Sequence, residues 1–231
     1  MSGAPSPLTP PPLTSASLAL AVDELAERDP DLRSVVERFG RPPLWERPAG
    51  FPTLVHIVLE QQVSLASAKA AFDRLRTVAD PLTPARFLEL DDATLLASGF
   101  SRQKTRYVRA LATALLDGTL DLGAIAGLDD DAVERELIAI PGIGPWTATI
   151  YRLMVLRRPD AWPTGDIALA QSLGEVKRLG RRPSPDEMLA LAEPWRPWRA
   201  VAARILWHDY LEKRAARRRG DGRIDGAGPP A

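Results

Sequence analysis

Two stretches of this chain carry residue types at spacings that can do chemistry. Residues 137–148 read LIAIPGIGPWTA. An apolar helix end runs into Pro141-Gly142-Ile143-Gly144. Pro145 then opens a new helix at a position where its missing N–H is not needed. Gly142 and Gly144 lack side chains and tolerate positive φ. Their N–H groups and the next helix N-terminus can therefore face outward, an arrangement that holds a phosphate oxygen. Ile143 is placed to plug between the two helices. The string reads as a helix-hairpin-helix, a grip on a nucleic-acid backbone that is blind to base sequence. Its contact residues are Gly142, Ile143, Gly144 and Thr147. An ordinary glycine turn shares the bare G-x-G, but the full string is more specific.

The second stretch is Pro163-Thr164-Gly165-Asp166, followed by an apolar helix over 167–173. An acid at a helix start is most often an N-cap, and a helix N-terminus also keeps such a carboxylate ionised. Elsewhere, Gln61 and Gln62 sit together at the end of an apolar helix. Arg102, Lys104, Arg106 and Arg109 form a run without an acid. His56 lies near an apolar helix face, where a lone histidine is usually structural, and His208 follows Trp207.

These groups need elements to position them, and the pattern supplies helices. Apolar residues recur at helical spacing and β-branched alternation is nearly absent. Short helices are expected over 16–27, 31–39, 54–63, 66–78, 84–90, 92–98, 101–116, 129–138, 145–156, 167–178, 185–192 and 199–216. Ser101 and Asp129 stand as N-caps. The fold class is all-α. Residues 1–15 hold five prolines and no charge, and 217–231 are rich in Gly, Pro and Arg. Both read as disordered tails.

Composition narrows the chemistry further. The 231 residues contain no cysteine and two histidines. Disulfides, thiolate nucleophiles, Cys-bound zinc and iron–sulfur clusters are excluded. No apolar run approaches the ~18 residues that span a membrane, and the N-terminus lacks a secretory pattern. A cytoplasmic protein is expected. Lys plus Arg and Asp plus Glu balance at 30 each. Any nucleic-acid surface must therefore be a local basic face, with Arg102, Lys104 and Arg106 as phosphate-contact candidates.

Taken together, the hairpin and the Pro163–Asp166 element resemble the helix-hairpin-helix–Gly/Pro/Asp superfamily of DNA glycosylases, on its 3-methyladenine DNA glycosylase II branch. Three further strings extend the resemblance: LVHIVLEQQVSLASA at 54–68, GFSRQK at 99–104, and WRPWR at 195–199 followed by ILW at 205–207. It covers about residues 30–210.

The resemblance implies two helical lobes with a DNA-binding cleft between them. One lobe is 52–163, and the other combines 16–51 with 164–216. It implies removal of alkylated purines from duplex DNA, with Asp166 as the catalytic carboxylate. Trp146 and Trp207 would form the base pocket and Gln62 the wedge in the duplex, with Gln61 tied internally. Trp195 and Trp198 are assigned to packing. Ile150 stands where some relatives carry a tyrosine. Strand-cutting relatives carry a hairpin lysine where this chain has Trp146, and 137–166 contains no lysine. A monofunctional enzyme acting as a monomer follows. No cofactor is required, although the backbone carbonyls of Ile138, Ile140 and Ile143 match a monovalent-cation site in some relatives. Two alternatives stay open: a glycosylase for uracil or a mispaired base, and a non-catalytic DNA clamp.

Overall fold

Caps and prolines set most of the helix starts. In the computed structural model, which describes residues 11–221, thirteen α-helices are present and no strand occurs among the described residues. They are α1 (Ser15–Arg28), α2 (Pro30–Phe39), α3 (Phe51–Glu60), α4 (Leu65–Val78), α5 (Pro84–Leu88), α6 (Asp92–Ala97), α7 (Arg102–Leu116), α8 (Leu122–Ile125), α9 (Asp130–Ile138), α10 (Pro145–Met154), α11 (Ile167–Val176), α12 (Pro185–Ala192) and α13 (Arg199–Asp221). Ser101 and Asp129 cap α7 and α9, accepting from the Lys104 and Ala132 N–H groups. The four-residue α8 was not anticipated, since a single turn leaves no periodicity to read. No helix among the described residues is long and apolar enough to cross a membrane.

The chain divides into two compact units. One contains Trp45–Arg158; the other joins Leu13–Leu44 to the chain from Pro159 onward. These borders differ from the expected 51/52 and 163/164. Residues 45–51 go with the first unit because the Arg47 N–H donates to the Met154 carbonyl at 2.9 Å and its guanidinium pairs with Glu60 at 2.8 Å. Residues 159–163 go with the second because Asp160 is held by Arg199 at 2.8 Å and by Arg196.

In the first unit α3 is apolar nearly all round and forms the centre. Phe51, Leu54, Val55, Ile57, Val58 and Leu59 are buried on it, and α4, α7 and α10 pack around it. Phe87 bridges Phe51 and Phe100 at centroid distances of 5.9 and 5.7 Å. In the second unit α13 plays that part, buried from Ala200 to Trp207 and packed by α1, α2 and α11. Arg204 is fully buried on it and donates to the Leu44 and Ala200 carbonyls. Burial pushes its pKa down to about 10, so it stays charged at neutral pH. Trp195 is buried against Trp162 and donates to Asp29 at 2.8 Å. Trp198 is only partly covered and donates to Glu24 at 2.8 Å.

Both expected tails need correction where they are described. Thr14 caps α1 in a capping box with Ser17, and Leu13 is buried. Helix α13 runs through 217–221, so a helical stretch stands where a frayed tail was expected. Residues 1–10 and 222–231 lie outside the described residues.

Candidate functional site

In the first unit α9 and α10 form the hairpin. Gln61 closes α3 as its C-cap and donates through Nε2 to the Gly142 carbonyl at 2.9 Å and to Thr147 Oγ1 at 2.8 Å. Gly142 has φ +91°. A Cβ there would lie 2.0 Å from Cγ of Tyr107, which packs on it from α7. Glycine is thus needed twice at this position, for the backbone and for the close approach. Ile143 and Ile140 are both 4% exposed, and the Ile143 N–H donates to the Ile140 carbonyl at 3.0 Å. Ile143 therefore does plug the hairpin. Arg152 on α10 donates to Glu134 on α9 at 2.7 Å and braces the two arms.

Gly144 differs from its neighbour. Its φ is −93°, an extended conformation open to any residue, so the positive φ expected of it is absent. As N-cap of α10 it offers no side-chain bond to the first turn, and nothing lies within 4 Å of where a Cβ would sit. Thr147 also departs from expectation. The residue is 1% exposed and its hydroxyl accepts from Gln61, so it is not a surface contact. Trp146, on the first turn of α10, is partly exposed, and Ile150 is buried.

Gln62 follows Gln61 at φ +59°, a left-handed conformation that non-glycine residues rarely hold. It is exposed, beside Val63 at 46% and Leu65 at 60% exposure. Of the basic run, Arg102 and Arg106 are exposed one turn apart on α7. Lys104 is not a surface cation. Its Nζ donates to the Leu59 and Gln61 carbonyls at 2.7 and 3.0 Å, and burial holds its pKa below the usual lysine value. Arg109 pairs with Asp92 at 2.7 Å. No sequence signal separated Lys104 from Arg102 and Arg106, because what distinguishes them is the end of a helix forty residues away.

In the second unit, Pro163–Asp166 form a tight turn, with the Asp166 N–H donating to the Pro163 carbonyl at 3.2 Å and Gly165 at φ +84°. Asp166 caps α11, its Oδ1 accepting from the Leu169 N–H at 2.8 Å. The same oxygen accepts from Trp207 Nε1 at 3.1 Å. Asp166 is partly exposed and its neighbour Ile167 is 65% exposed. Trp207 is 8% exposed. Its indole N–H is thus directed at Asp166. His56 stacks on Phe72 at 4.5 Å and His208 Nε2 meets the Phe39 carbonyl at 3.0 Å, both packing roles. The groups described are two: Gln62, the hairpin and Trp146 in one unit, Asp166 and Trp207 in the other. No cluster of His, Cys, Asp and Glu able to hold a metal ion occurs among the described residues.

Known proteins resemble this chain in sequence and fold. A DNA-3-methyladenine glycosylase of Bacillus subtilis is 29% identical over 198 residues, covering 80% of this chain and 65% of that protein. A probable bifunctional transcriptional activator/DNA repair enzyme AlkA of Mycobacterium tuberculosis is 35% identical, covering 81% of this chain and 39% of its own length. This chain therefore spans less than two-thirds of either protein. Among solved structures, the Schizosaccharomyces pombe 3-methyladenine DNA glycosylase Mag1 in complex with abasic DNA aligns with TM-score 0.75 and 25% identity, covering 81% of this chain and 95% of that one. Residues 55–197, more than half of the sequence, match one family throughout: the chain belongs to the HhH-GPD superfamily of base excision DNA repair proteins.

Proposed function

We propose that this chain is a monofunctional DNA glycosylase that flips alkylated purines out of duplex DNA and hydrolyses the bond from base to deoxyribose, leaving an abasic site. The observation that carries the reading is Asp166, a partly exposed carboxylate fixed by two donors, the Leu169 N–H and Trp207 Nε1. The names of the relatives, 3-methyladenine DNA glycosylases, support the substrate class.

Base, sugar and water make distinct demands on the protein. A stacked base must first leave the duplex, at a cost of a few kcal/mol that is lowest for damaged or weakly paired bases. The exposed, left-handed Gln62 is suited to fill the gap, and the first-turn N–H groups of α10 to hold a flanking phosphate. Cleavage then builds positive charge on the sugar. The Asp166 carboxylate stabilises that charge and orients or deprotonates the attacking water. Bonds at Oδ1 fix its direction. Trp146 offers a π face to a cationic alkylpurine, worth roughly 0.5–2 kcal/mol. Trp207 supports Asp166 through its indole N–H.

Because 137–166 holds no lysine, no amine is supplied there to attack the sugar, and strand cleavage is not part of the reading. Hairpin and carboxylate come from one chain, so a monomer suffices. We also propose a monovalent cation on the Ile138, Ile140 and Ile143 carbonyls. Helix α9 ends at Ile138, so its last carbonyls carry partial negative charge, and the Ile140 oxygen keeps a lone pair beside its bond to Ile143. A bound cation would stiffen the hairpin.

The test is base release from methylated duplex DNA, with released bases separated by chromatography. Release of 3-methyladenine or 7-methylguanine without strand scission supports the reading. Release only from uracil- or mispair-containing duplexes moves the activity to another lesion. No release from any of them leaves a DNA clamp.

A further inference from the structure

Lys104 has the charge and the neighbours of a phosphate contact, yet it points inward. Its ammonium group bridges the Leu59 and Gln61 carbonyls at the end of α3. It has no acidic partner among the described residues. Those carbonyls belong to the last turn of a helix, where no N–H follows to satisfy them. A cation is the group that both bonds them and matches the negative helix end.

Two other contacts close a triangle around this point. The Gln61 side chain reaches the hairpin at Gly142 and Thr147. Tyr107, one turn beyond Lys104 on α7, packs on Gly142 so tightly that a Cβ does not fit, and its hydroxyl accepts from Gln103 Nε2 at 2.5 Å. Helix α3 is thus tied to α7, α3 to the hairpin, and α7 to the hairpin. Gln62 leaves this joint at φ +59°. Such a conformation persists only where the surroundings over-determine it, and Lys104 is the group that holds the carbonyl immediately before it.

We propose that Lys104 is a positioning residue for the wedge: by fixing the end of α3 it holds Gln62 in place against the hairpin, so that entry of Gln62 into the duplex and the grip on the backbone move as one piece. This rests on the reading of Gln62 as the wedge. Lys104 touches no substrate and acts through Gln62 alone. Its loss should therefore matter only where a base must be forced out of a pair.

The experiment uses the full chain and one alkylated base in two duplexes, one with the lesion fully paired and one with it opposite an abasic site, so that no pair is broken. Single-turnover excision is measured for the wild type, Lys104→Met, Lys104→Arg, Gln62→Ala and the double variant Lys104→Met/Gln62→Ala. Lys104→Met should slow excision from the paired duplex by about tenfold, the scale of a displaced positioning group. It should change the unpaired duplex less than about twofold on the same argument. Lys104→Arg, which keeps a cation, should recover most of the loss. The double variant should be no slower than Gln62→Ala.

The slope of log affinity against log salt on lesion-free duplex should be unchanged, whereas loss of a true phosphate contact lowers it by about 0.9. Equal loss on both duplexes, additive losses in the double variant, or a lowered salt slope overturns the proposal. Lys104→Gln, which retains one donor, decides the matter in the same way should the methionine variant fail to fold. A wild type silent on both duplexes overturns the glycosylase reading itself. An active wild type with an unchanged paired-to-unpaired ratio in the variants overturns only the role of Lys104.

Discussion

Two turns of this protein that begin with proline lead into helices and end on opposite kinds of N-cap. Pro141–Gly144 feeds α10 and Pro163–Asp166 feeds α11. Each has a proline at its start and a glycine at positive φ, φ +91° at Gly142 and +84° at Gly165. That glycine is the second residue of one turn and the third of the other, and the two turns end on different N-caps. Gly144 gives α10 no side-chain cap. The positive end of that helix is left to an anion from outside. Asp166 caps α11 itself and turns the same kind of helix end into a fixed negative site. One turn is suited to hold a phosphate, the other to face a cationic sugar. The N-cap, Gly144 in one turn and Asp166 in the other, sets the charge that each helix end presents.

The largest test of that contrast is Asp166→Asn. Asparagine caps a helix about as well as aspartate, and its amide oxygen still accepts from Leu169 and Trp207. The melting temperature should hold while base release falls about 10²- to 10³-fold, the usual cost of removing one preorganised electrostatic group. A variant that keeps wild-type turnover would show that α11 needs only a cap.

Gly142→Ala attacks the other turn. The new methyl meets the Tyr107 ring and sits at a φ that alanine resists. Overpacking and backbone strain together should cost about 2–3 kcal/mol, read as a lower denaturant midpoint. The matching change in the other turn, Gly165→Ala, meets open space and should cost about 1 kcal/mol from backbone strain alone. Equal costs at the two glycines would remove the argument from the Tyr107 contact.

How far the sequence carried this picture depends on range. Helix starts were legible because caps and prolines act within one turn. Asp129, Ser101 and Pro145 stand where they were expected, and the Gln61 tie to the hairpin follows the reading of that residue. Three features escaped because they depend on contacts between segments distant in the chain. Thr147 looked like a surface hairpin residue, but Gln61, 86 positions away, turns it inward. Lys104 looked like its neighbours Arg102 and Arg106, but it is captured by the end of α3. Trp207 read as a base-pocket residue, with no sign of its bond to Asp166. Gly144 was a different kind of miss. A second glycine two positions after the first suggested a second positive φ, while the structure uses its missing side chain instead.

Gly144→Asp converts the first turn toward the second. Backbone φ −93° suits any residue and the site has room. Aspartate there should cap α10, worth a few tenths of a kcal/mol over glycine, and its charge at the helix N-terminus should add about 0.3–1 kcal/mol. It also places a negative charge where a phosphate would sit. Affinity for lesion-free duplex should fall about tenfold, roughly 1.4 kcal/mol, and the gap to wild type should narrow at high salt. A variant that is both more stable and equally tight would show that α10 does not hold the backbone.

The smallest effect is the most diagnostic of strain. Gln62 holds φ +59° with its side chain exposed. An exposed residue makes few packing contacts, so its backbone conformation is the main thing it costs the fold. Gln62→Gly removes the left-handed penalty, about 1–2 kcal/mol, but loosens the unfolded chain. The net gain should be about 0.5 kcal/mol, a rise of one to a few degrees in melting temperature for a chain of this size. Excision from a paired duplex should fall at the same time, because the amide that would enter the gap is gone. Stability and activity moving in opposite directions is the signature of strain kept for function. If both fall together, the left-handed backbone at Gln62 is held by its own side-chain contacts, and the joint with Lys104 is not what maintains it.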